Sequence, residues 1–524
     1  NTYLGRYFNK NSQPVSSFTY GKSYLLNRRI EYILTCICSS KNSTHNIIEH
    51  RAAFAKYNLL QDLSTENKRF KKSTCLSIVL VLILMIPLIL LFAYCFYAIY
   101  IFEADDREAF TNRAELYSLD EYLNKQTPCK LCNSHPNVIY ESNTNEPSKI
   151  VCYYNFPSSE GDPTALMPDN IDCNLCTHIN IGFAIIRNCT IILSDVMSNV
   201  TTQIVKLKSC NPQLKILLSV GGASNDEGFP EMVLTHASRK VFIRSLKAVL
   251  RQYRLDGVDL DWEFPVFSAV YNNHSDIGEG NVNGRQRQHF SQLLREIRSE
   301  YIREKRDYLL TVAVAAPENI VSLAYDVDQL NLYVDFVNIM SYDYHFYTKF
   351  TAFTGINAPL YSQKDEILYL ATLNMNYSAN MWLSKGMDRN KIVVGLPTYG
   401  HTFTLVNKHN GLIGSPASGF GKLGNLGFVD YPEICEFIKN NTNVNVVYDN
   451  QTFSPYLHKD HEWVSYEDKE SIVGKAKYIK DSMFGGVMIY SLNSDDYSGR
   501  CSANSDEKFY LTRQLKDIFL DDDL

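Results

Sequence analysis

The stretch that decides the fold reads Leu255-Asp256-Gly257-Val258-Asp259-Leu260-Asp261-Trp262-Glu263-Phe264-Pro265. Apolar and acidic residues alternate along its middle, which is typical of a short buried strand. Residues two apart share one face of a strand, so Asp259, Asp261 and Glu263 point the same way. Asp256 is out of phase with these three, and we interpret it as a strand-start or turn residue that anchors the backbone.

Three carboxylates in a row on one buried face are costly, because each loses its hydration on burial. Close carboxylates cannot all ionise freely, so we expect a shared proton and at least one raised pKa. A carboxyl group of this kind keeps its proton near neutral pH and can donate it to a leaving group. Two other interpretations stay open at this point: a solvated acidic strand edge, and a cluster that binds a divalent cation through oxygen ligands.

Short apolar runs recur on both sides of this stretch, separated by amphipathic helical segments and loops. The runs that we predict to be strands are Ile150–Tyr154, His178–Ala184, Lys215–Val220, Val258–Trp262, Leu309–Ala315, Phe336–Ser341, Ile392–Pro397 and Gly486–Tyr490. Eight β/α units over about 350 residues predict an α/β fold, a (β/α)8 TIM barrel, over residues 149–506. The gap between the seventh and eighth strands is too long for one helix, which predicts a small α+β insertion at about 403–468. We expect residues 507–524 to form a C-terminal helix or tail.

The segment from Leu76 to Phe102 carries no charged side chain. Its length exceeds the ~20 residues that cross a bilayer core, so we predict one transmembrane helix over residues 75–102, in contact with the lipid bilayer. Basic residues precede this segment and acidic residues follow it, which predicts a single-pass type II orientation. Residues 1–74 would then be a disordered cytoplasmic tail, and residues 103–148 a stem that leads to an extracellular or luminal barrel.

Sequons and cysteines agree with that orientation. Six Asn-x-Ser/Thr sequons follow the predicted span and are candidate glycosylation sites: Asn188, Asn199, Asn273, Asn376, Asn440 and Asn450. Nine of the 13 cysteines also follow it, which indicates an oxidising compartment with disulfides. A net charge of -6 does not suggest a nucleic-acid partner.

The spacing Asp-x-x-Asp-x-Asp-x-Glu resembles the signature of the family 18 glycoside hydrolases, which comprise chitinases, chitinase-like lectins and related endo-N-acetylglucosaminidases. Four further segments resemble the third, sixth, seventh and eighth strands of that family: Lys215–Gly222, Val334–Asp343, Gly395–Phe403 and Gly485–Asp496. They fall at the C-terminal ends of predicted strands, where barrel active sites are built. The resemblance therefore covers nearly all of the chain after the stem.

This resemblance implies a role for each acid. Glu263 would protonate the glycosidic oxygen and then activate water as a base. The 2-acetamido oxygen of the substrate would attack the anomeric carbon with net retention, so no second carboxylate acts as nucleophile. Asp261 would orient the acetamido N–H, Asp259 would share its proton, and Tyr342 would hydrogen-bond the acetamido oxygen. Ser219 would lie beneath the acids.

Further positions match the substrate cleft and the disulfides of the family. The cleft positions are Asp343, Met340, Tyr153, Phe183, Gly222, Tyr399 and Tyr490. The aromatic members of this set have a second interpretation, because such residues often fill the layers of a barrel without touching a ligand. The implied disulfides are Cys152–Cys176 and Cys435–Cys501. The mechanism implies no metal and no cofactor.

The leading hypothesis is a membrane-anchored endo-hydrolase of β-1,4-linked N-acetylglucosamine, most simply a chitinase, whose partner is chitin or an N-acetylglucosamine-containing oligosaccharide. Tyr490 and Ala223 depart from the family, which usually has Trp at the end of strand eight and after the Gly-Gly pair. Less indole surface weakens stacking on a sugar. Two alternatives therefore stay open: a non-catalytic chitinase-like lectin, and a hydrolase specific for short oligomers or N-glycan cores. The oligomeric state is left open.

Overall fold

The computed structural model describes residues 148–159, 165–267, 282–501 and 507–520. The strands are β1 (Lys149–Asn155), β2 (His178–Arg187), β3 (Thr190–Ile192), β4 (Lys215–Gly221), β5 (Gly257–Asp261), β6 (Leu309–Ala315), β7 (Phe336–Met340), β8 (Ile392–Pro397), β9 (Tyr399–Leu405), β10 (Ala417–Gly419), β11 (Phe428–Asp430), β12 (Asn445–Asp449), β13 (Ser454–Lys459), β14 (Glu462–Ser465) and β15 (Gly486–Tyr490). The helices are α1 (Asp195–Ile204), α2 (Phe229–Leu234), α3 (His236–Tyr253), α4 (Val282–Arg303), α5 (Glu318–Ala324), α6 (Val327–Tyr333), α7 (Met375–Ser384), α8 (Tyr431–Asn440), α9 (Lys469–Asp481) and α10 (Tyr510–Leu520).

Eight parallel strands of this part of the chain close into a barrel in the order β1-β2-β4-β5-β6-β7-β8-β15, and β15 pairs with β1 to complete the ring. β3 pairs antiparallel with β2 beside the ring. The predicted (β/α)8 barrel is therefore confirmed, and each barrel strand overlaps one of the predicted strands. All five residues of β5 are buried, as in parallel strands that are covered on both faces. The alternative of a solvated acidic strand edge is wrong.

Local sequence signals set where helix α3 begins and ends before β5. The side chain of Thr235 accepts a hydrogen bond from the backbone N–H of Ser238 at the start of α3. At the other end of α3, Arg254 has a φ of 56° and so leaves the helical path. This left-handed residue turns the chain into the acidic strand, three residues before Gly257 opens β5.

The segment between the seventh and eighth barrel strands forms a separate antiparallel sheet in the order β10-β9-β14-β13-β12, with β11 paired to β9. Helix α8 lies between β11 and β12 in the chain. This unit occupies the place of the predicted α+β insertion. It begins at Tyr399 instead of about residue 403, because β9 follows β8 after the single residue Thr398.

Both disulfides that the family resemblance implies are present, Cys152–Cys176 and Cys435–Cys501. A third, Cys173–Cys210, had not been assigned from the sequence. It ties the loop before β2 to the segment that follows α1. Of the cysteines that the structure describes, only Cys189 carries a free thiol.

The predicted transmembrane helix at 75–102, the tail before it and the stem after it lie outside the described residues. Where the chain is described, none of its helices combines the length and the apolar character that crossing a bilayer requires. Asn273 also lies outside the described ranges. The candidate glycosylation sites Asn188, Asn199, Asn440 and Asn450 are exposed. Asn376 is half-buried, and its Oδ1 accepts a hydrogen bond from Tyr478 at 2.9 Å.

A buried ion pair joins the inserted sheet to the barrel helix α9. Lys475 on α9 is 0 % exposed and Glu467, just after β14, is 1 % exposed. The Lys475 ammonium donates to the Glu467 carboxylate and, at 3.0 Å, to Ser454 Oγ in β13. Burial lowers the pKa of Lys475 and raises the pKa of Glu467, while the attraction between the two charges opposes both shifts. Each of these buried charges is stabilised only while the other is present.

We expect Lys475→Met to lower the free energy of unfolding by about 3–5 kcal/mol, because it leaves the Glu467 carboxylate buried without a counter-charge. Lys477→Met on the same helix is the matched control, since Lys477 is exposed and should change stability by less than about 0.5 kcal/mol. Urea unfolding monitored by circular dichroism measures both. In the double variant Lys475→Met/Glu467→Leu most of the loss should disappear. Equal stability of the Lys475 and Lys477 variants would contradict this account.

Candidate active site

Asp259 lies at the centre of a closed hydrogen-bond network inside the barrel. Its Oδ2 accepts from the Tyr153 hydroxyl and from Ser219 Oγ, both at 2.7 Å. Its Oδ1 accepts from Thr311 Oγ1 at 2.6 Å and from Asn338 Nδ2 at 3.3 Å. Burial raises the pKa of Asp259, and these four donors oppose that shift. The carboxylate therefore anchors four different strands around the base of the site.

The Asp259 network also bears on the metal alternative. Both oxygens of Asp259 are engaged by protein donors, which leaves this carboxylate poorly suited to bind a cation. Throughout the described ranges, no group of three or more His, Cys, Asp or Glu side chains is arranged to hold a metal ion. The proton that Asp259 would share with Asp261 stays a prediction.

Asp261 is placed above Asp259 with a free acceptor. Its side chain is buried, and its Oδ1 has no hydrogen-bond partner in the protein. Burial, and then the charges of Glu263, Asp259 and Asp226, raise the pKa of Asp261 well above its ordinary value. An unpaired buried carboxyl oxygen costs free energy. A ligand that brings an N–H donor to this oxygen would remove that cost.

Glu263 follows the end of β5 and is half-buried beside the opening of the barrel. Burial, with the nearby charges of Asp343 and Asp226, raises the pKa of Glu263 to about 8. This carboxyl group therefore holds its proton at neutral pH. Asp256, by contrast, lies at the opposite end of the strand, where its Oδ2 accepts from the backbone N–H of Ile216 at 2.7 Å and pairs with Lys208 at 2.5 Å.

Aromatic rings form a wall beside the acids, and the ring of Tyr490 lies at the centre of this wall. The centroid of the Tyr490 ring lies 5.7 Å from that of Tyr153, 6.5 Å from Phe183, 5.9 Å from Tyr342 and 6.1 Å from Tyr399. Met340 packs against the same cluster. The structure thus brings together every aromatic cleft position named from the sequence.

The position of the Phe183 ring in this wall requires a glycine at residue 222. Gly222 has a φ of +80°, and a Cβ at this position would lie 2.7 Å from the ring of Phe183. A side chain here would therefore displace Phe183 as well as strain the backbone. The backbone N–H of Gly222 also donates to the carbonyl oxygen of Asp261 at 2.7 Å, which fixes the turn after β4 against the end of the acidic strand.

Asp343, at the rim, forms a second polar group with two side chains of β9. Its Oδ1 accepts from the Tyr399 hydroxyl at 2.5 Å and lies 2.7 Å from His401 Nε2. The other ring nitrogen of His401, Nδ1, lies 3.1 Å from the carbonyl oxygen of Gly427. Since a carbonyl oxygen only accepts, Nδ1 carries a proton.

Four polar residues of the site were not identified from the sequence: Thr311, Asn338, His401 and Asp226. Thr311 and Asn338 interrupt otherwise apolar strands at positions that face the barrel interior, which was a usable signal. His401 had no local signal that connects it to Asp343, since the two are brought together only when β9 leaves the barrel. Ala223, where the family often has Trp, is exposed.

Buried carboxyl groups at the C-terminal end of a (β/α)8 barrel, faced by a wall of aromatic rings, form a concave site where proteins of this fold bind their ligands. The model of the Glycosyl hydrolases family 18 matches residues 149–495, and the chain belongs to that family as a chitinase or a chitinase-like protein. Its sequence is 34% identical over 364 residues to Chitinase-3-like protein 2 of Homo sapiens, which covers 67% of this chain and 88% of that protein.

Two solved structures show the same fold. Human YKL-39, described as a pseudo-chitinase with retained chitooligosaccharide binding properties, has a TM-score of 0.64 at 32% identity and covers 71% of this chain and 99% of its own. The Group IV chitinase of Ostrinia furnacalis in complex with allosamidin has a TM-score of 0.64 at 32% identity and covers 71% of this chain and 98% of its own. The relatives thus include both a chitinase and a pseudo-chitinase.

Proposed function

We propose that this protein is a retaining endo-hydrolase of β-1,4-linked N-acetylglucosamine, a chitinase in the simplest case, with Glu263 as its general acid and base. The observation that carries the proposal is the geometry around Glu263, which follows the buried acidic strand β5 two residues after Asp261, whose Oδ1 has no hydrogen-bond partner in the protein. Burial and neighbouring acids raise the pKa of Glu263 to about 8, so it holds a proton where a glycosidic oxygen would need one. The chitinase among its structural relatives supports the same activity.

The proposed reaction proceeds in two steps at one carbon. Glu263 gives its proton to the glycosidic oxygen, and the bond between that oxygen and the anomeric carbon breaks. The acetamido oxygen of the same sugar forms the new bond, and Asp261 accepts from the acetamido N–H while positive charge develops on the ring. The Glu263 carboxylate then takes a proton from water, whose oxygen attacks the anomeric carbon from the side that the leaving group occupied, while the bond from the acetamido oxygen to that carbon breaks and the acetamido group is restored. The configuration is retained.

The surrounding residues have separate tasks in this scheme. In this scheme Tyr342 would donate to the acetamido oxygen, and the acetamido N–H would donate to Oδ1 of Asp261, which has no hydrogen-bond partner in the protein. Asp259 holds β5 in place through its four donors. Tyr490 provides the surface on which the sugar ring would stack.

The kcat/KM for a chitotriose substrate should fall as the pH rises through about 8. The raised pKa of Glu263 means that the acid form is present below this value and lost above it, by about tenfold per further pH unit. A substrate that releases 4-methylumbelliferone needs less proton donation, so the fall of its kcat/KM above pH 8 should be shallower. Both pH profiles of kcat/KM are measured in a constant-ionic-strength buffer series. A fall that begins near pH 5 would show a carboxyl group with an ordinary pKa and contradict the assignment.

The second candidate function is a chito-oligosaccharide-binding protein without turnover. The observation that favours it is Tyr490, which offers less stacking surface than the Trp that is usual there, and YKL-39 shows that a family member can bind without hydrolysis. A hydrolase limited to short oligomers or N-glycan cores is consistent with the same substitution. The binding protein gives the raised pKa of Glu263 no role, whereas a hydrolase of either specificity would use it.

One experiment separates the candidates. The purified chain is titrated with N-acetylglucosamine oligomers of two to six units by calorimetry, and the same samples are analysed for product by mass spectrometry. Binding together with chain shortening supports the hydrolase, and activity on polymeric chitin against hexamer then distinguishes the narrower enzyme. Binding without any product, at pH values on both sides of 8, would favour the lectin.

We further propose that the chain is a single-pass type II membrane protein anchored through residues 75–102, with the barrel extracellular or luminal. Three disulfides and four exposed sequons in the barrel support an oxidising, glycosylating compartment. On expression in a eukaryotic cell, the chain should stay in the membrane fraction after carbonate extraction and lose mass on endoglycosidase treatment. A carbonate-soluble, unglycosylated chain would contradict the topology.

A further inference from the structure

The last residue of β1, Asn155, places an amide at the mouth of the barrel. Two residues earlier, Tyr153 points into the barrel interior, where its hydroxyl donates to Asp259 at 2.7 Å. Residues two apart share one face of a strand, so Asn155 points the same way, one step nearer the C-terminal end. It pairs in register with Gly182 of β2, whose neighbour Phe183 belongs to the aromatic wall. Asn155 therefore faces the cleft and is partly exposed.

The backbone of Asn155 is held by the segment that follows β15. Its N–H donates to Oδ1 of Asn493 at 2.7 Å, and its carbonyl oxygen accepts from Nδ2 of Asn493 at 3.0 Å. Beside them, the Leu492 N–H donates to the carbonyl oxygen of Tyr153 at 2.9 Å. These hydrogen bonds fix the end of β1, so the amide of Asn155 has a defined position before a ligand arrives.

The side chain of Asn155 is bonded at its nitrogen but not at its oxygen. Nδ2 donates to Ser491 Oγ at 3.4 Å. Burial raises the pKa of the Tyr490 hydroxyl, and a hydrogen bond from Asn155 opposes that rise. Oδ1 is buried and has no hydrogen-bond partner among the described residues. A buried amide oxygen without a donor costs free energy, and a ligand that brings a donor to it would remove that cost.

Tyr490 connects this amide to the proposed sugar site. The centroid of its ring lies 5.7 Å from that of Tyr153 and 5.9 Å from that of Tyr342, at the centre of the wall. A sugar that stacks on the ring turns an apolar face to it and carries its polar groups at the edge. Those that can donate are the acetamido N–H, which the proposed mechanism assigns to Asp261, and the hydroxyl groups. A hydroxyl group is therefore the donor that matches Oδ1 of Asn155.

We infer that Asn155 is a substrate-binding and specificity-determining residue, whose Oδ1 accepts a hydrogen bond from a free hydroxyl group of the N-acetylglucosamine ring on Tyr490. The inference rests on the proposed function and adds a selectivity to it. An alkylated or acylated sugar oxygen has no hydrogen to donate, and it would leave the amide oxygen unpaired. The site therefore selects units whose hydroxyl groups are unsubstituted.

The test compares Asn155→Leu with its parent in the full chain, both carrying Glu263→Gln so that no ligand is consumed. The probes are the N-acetylglucosamine tetramer and its 3-deoxy and 6-deoxy forms, because C3 and C6 carry the free hydroxyl groups of an internal unit. The parent should bind one deoxy form about tenfold more weakly than the tetramer. Asn155→Leu should bind the tetramer about tenfold more weakly and should not distinguish it from that deoxy form. Calorimetric titrations measure each affinity.

The matched control is Asn174→Leu, an exposed amide in the loop before β2, which should keep the affinities and the selectivity of the parent. A merely structural role of Asn155 predicts weaker binding with the same preference for the tetramer over the deoxy form, and that result would overturn the inference. A parent that binds all three probes equally would also overturn it. Asn155→Ala is measured in the same way if Asn155→Leu fails to fold.

Binding and turnover separate this inference from the proposed function. A wild-type chain that never cleaves the tetramer, while the selectivity is lost in Asn155→Leu, would remove the hydrolase and support the role of Asn155 in binding. A wild-type chain that cleaves the tetramer, while Asn155→Leu keeps the selectivity of its parent, would overturn the inference and leave the hydrolase in place.

Discussion

Glu263→Gln is expected to lower kcat by about 10²–10⁴-fold while oligosaccharide affinity stays within a few-fold of the wild type. Gln matches the shape of Glu and can hydrogen-bond, but it cannot transfer a proton to the glycosidic oxygen or take one from water. The raised pKa of about 8 means that the wild-type group is protonated before the substrate arrives, so the substitution removes the proton and not a charge. Single-turnover rates and calorimetric affinities measure the two quantities separately.

The matched control for Glu263→Gln is Glu227→Gln, an exposed acid on the neighbouring loop that should retain full turnover. Equal activity of wild type and Glu263→Gln would remove Glu263 from the mechanism. Loss of binding in Glu263→Gln, with turnover per bound complex unchanged, would instead make it a recognition residue.

Asp261→Asn is expected to lower kcat by about 10²–10³-fold, the second largest effect of a single substitution. In the proposed mechanism the acetamido N–H would donate to the free Oδ1 of Asp261, which would stabilise the positive charge that develops when the acetamido oxygen attacks. An amide still accepts that hydrogen bond, but it cannot become negative as positive charge develops on the substrate. The effect should therefore fall on kcat more than on KM.

Asp256→Asn is the control for that prediction, because Asp256 directly precedes the same strand and contacts Ile216 and Lys208 at the end away from Asp261. We expect about 1 kcal/mol less stability and a kcat of the folded protein within threefold of the wild type. Stopped-flow assays of both variants, with urea unfolding of Asp256→Asn, provide the comparison. A kcat loss of similar size in the two variants would contradict the assignment of Asp261.

The acidic strand shows which features of the fold and the site could be predicted from the sequence. Alternation alone predicts that Asp259, Asp261 and Glu263 share a face, because the period of a strand is fixed at two residues. Eight apolar runs predict the barrel, since parallel strands covered on both faces must be apolar throughout. The direction of the shift in the Glu263 pKa was also predictable, because burial and nearby negative charges both raise it.

Other features depend on contacts that no local pattern encodes. Thr311 reaches Asp259 because β6 pairs with β5 in one register, Asp259 opposite Thr311. His401 reaches Asp343 over 58 residues, and the loop after β4 meets the acidic strand where Gly222 donates to Asp261 and Phe229 stacks on Trp262. The Cys173–Cys210 pairing likewise follows from the path of the chain around the barrel. Sequence periodicity fixes which residues share a face, and the closed barrel fixes which faces meet.

The most direct test of the central claim is the configuration of the first product. Chitotetraose is incubated with the purified chain at pH 6, and the anomeric proton of the new reducing end is followed by NMR before mutarotation equilibrates it. The account predicts that the β-anomer forms first, because the acetamido oxygen and then water attack the anomeric carbon in two successive inversions. An α-anomer formed first, or a tetramer that is bound but never cleaved, would contradict it.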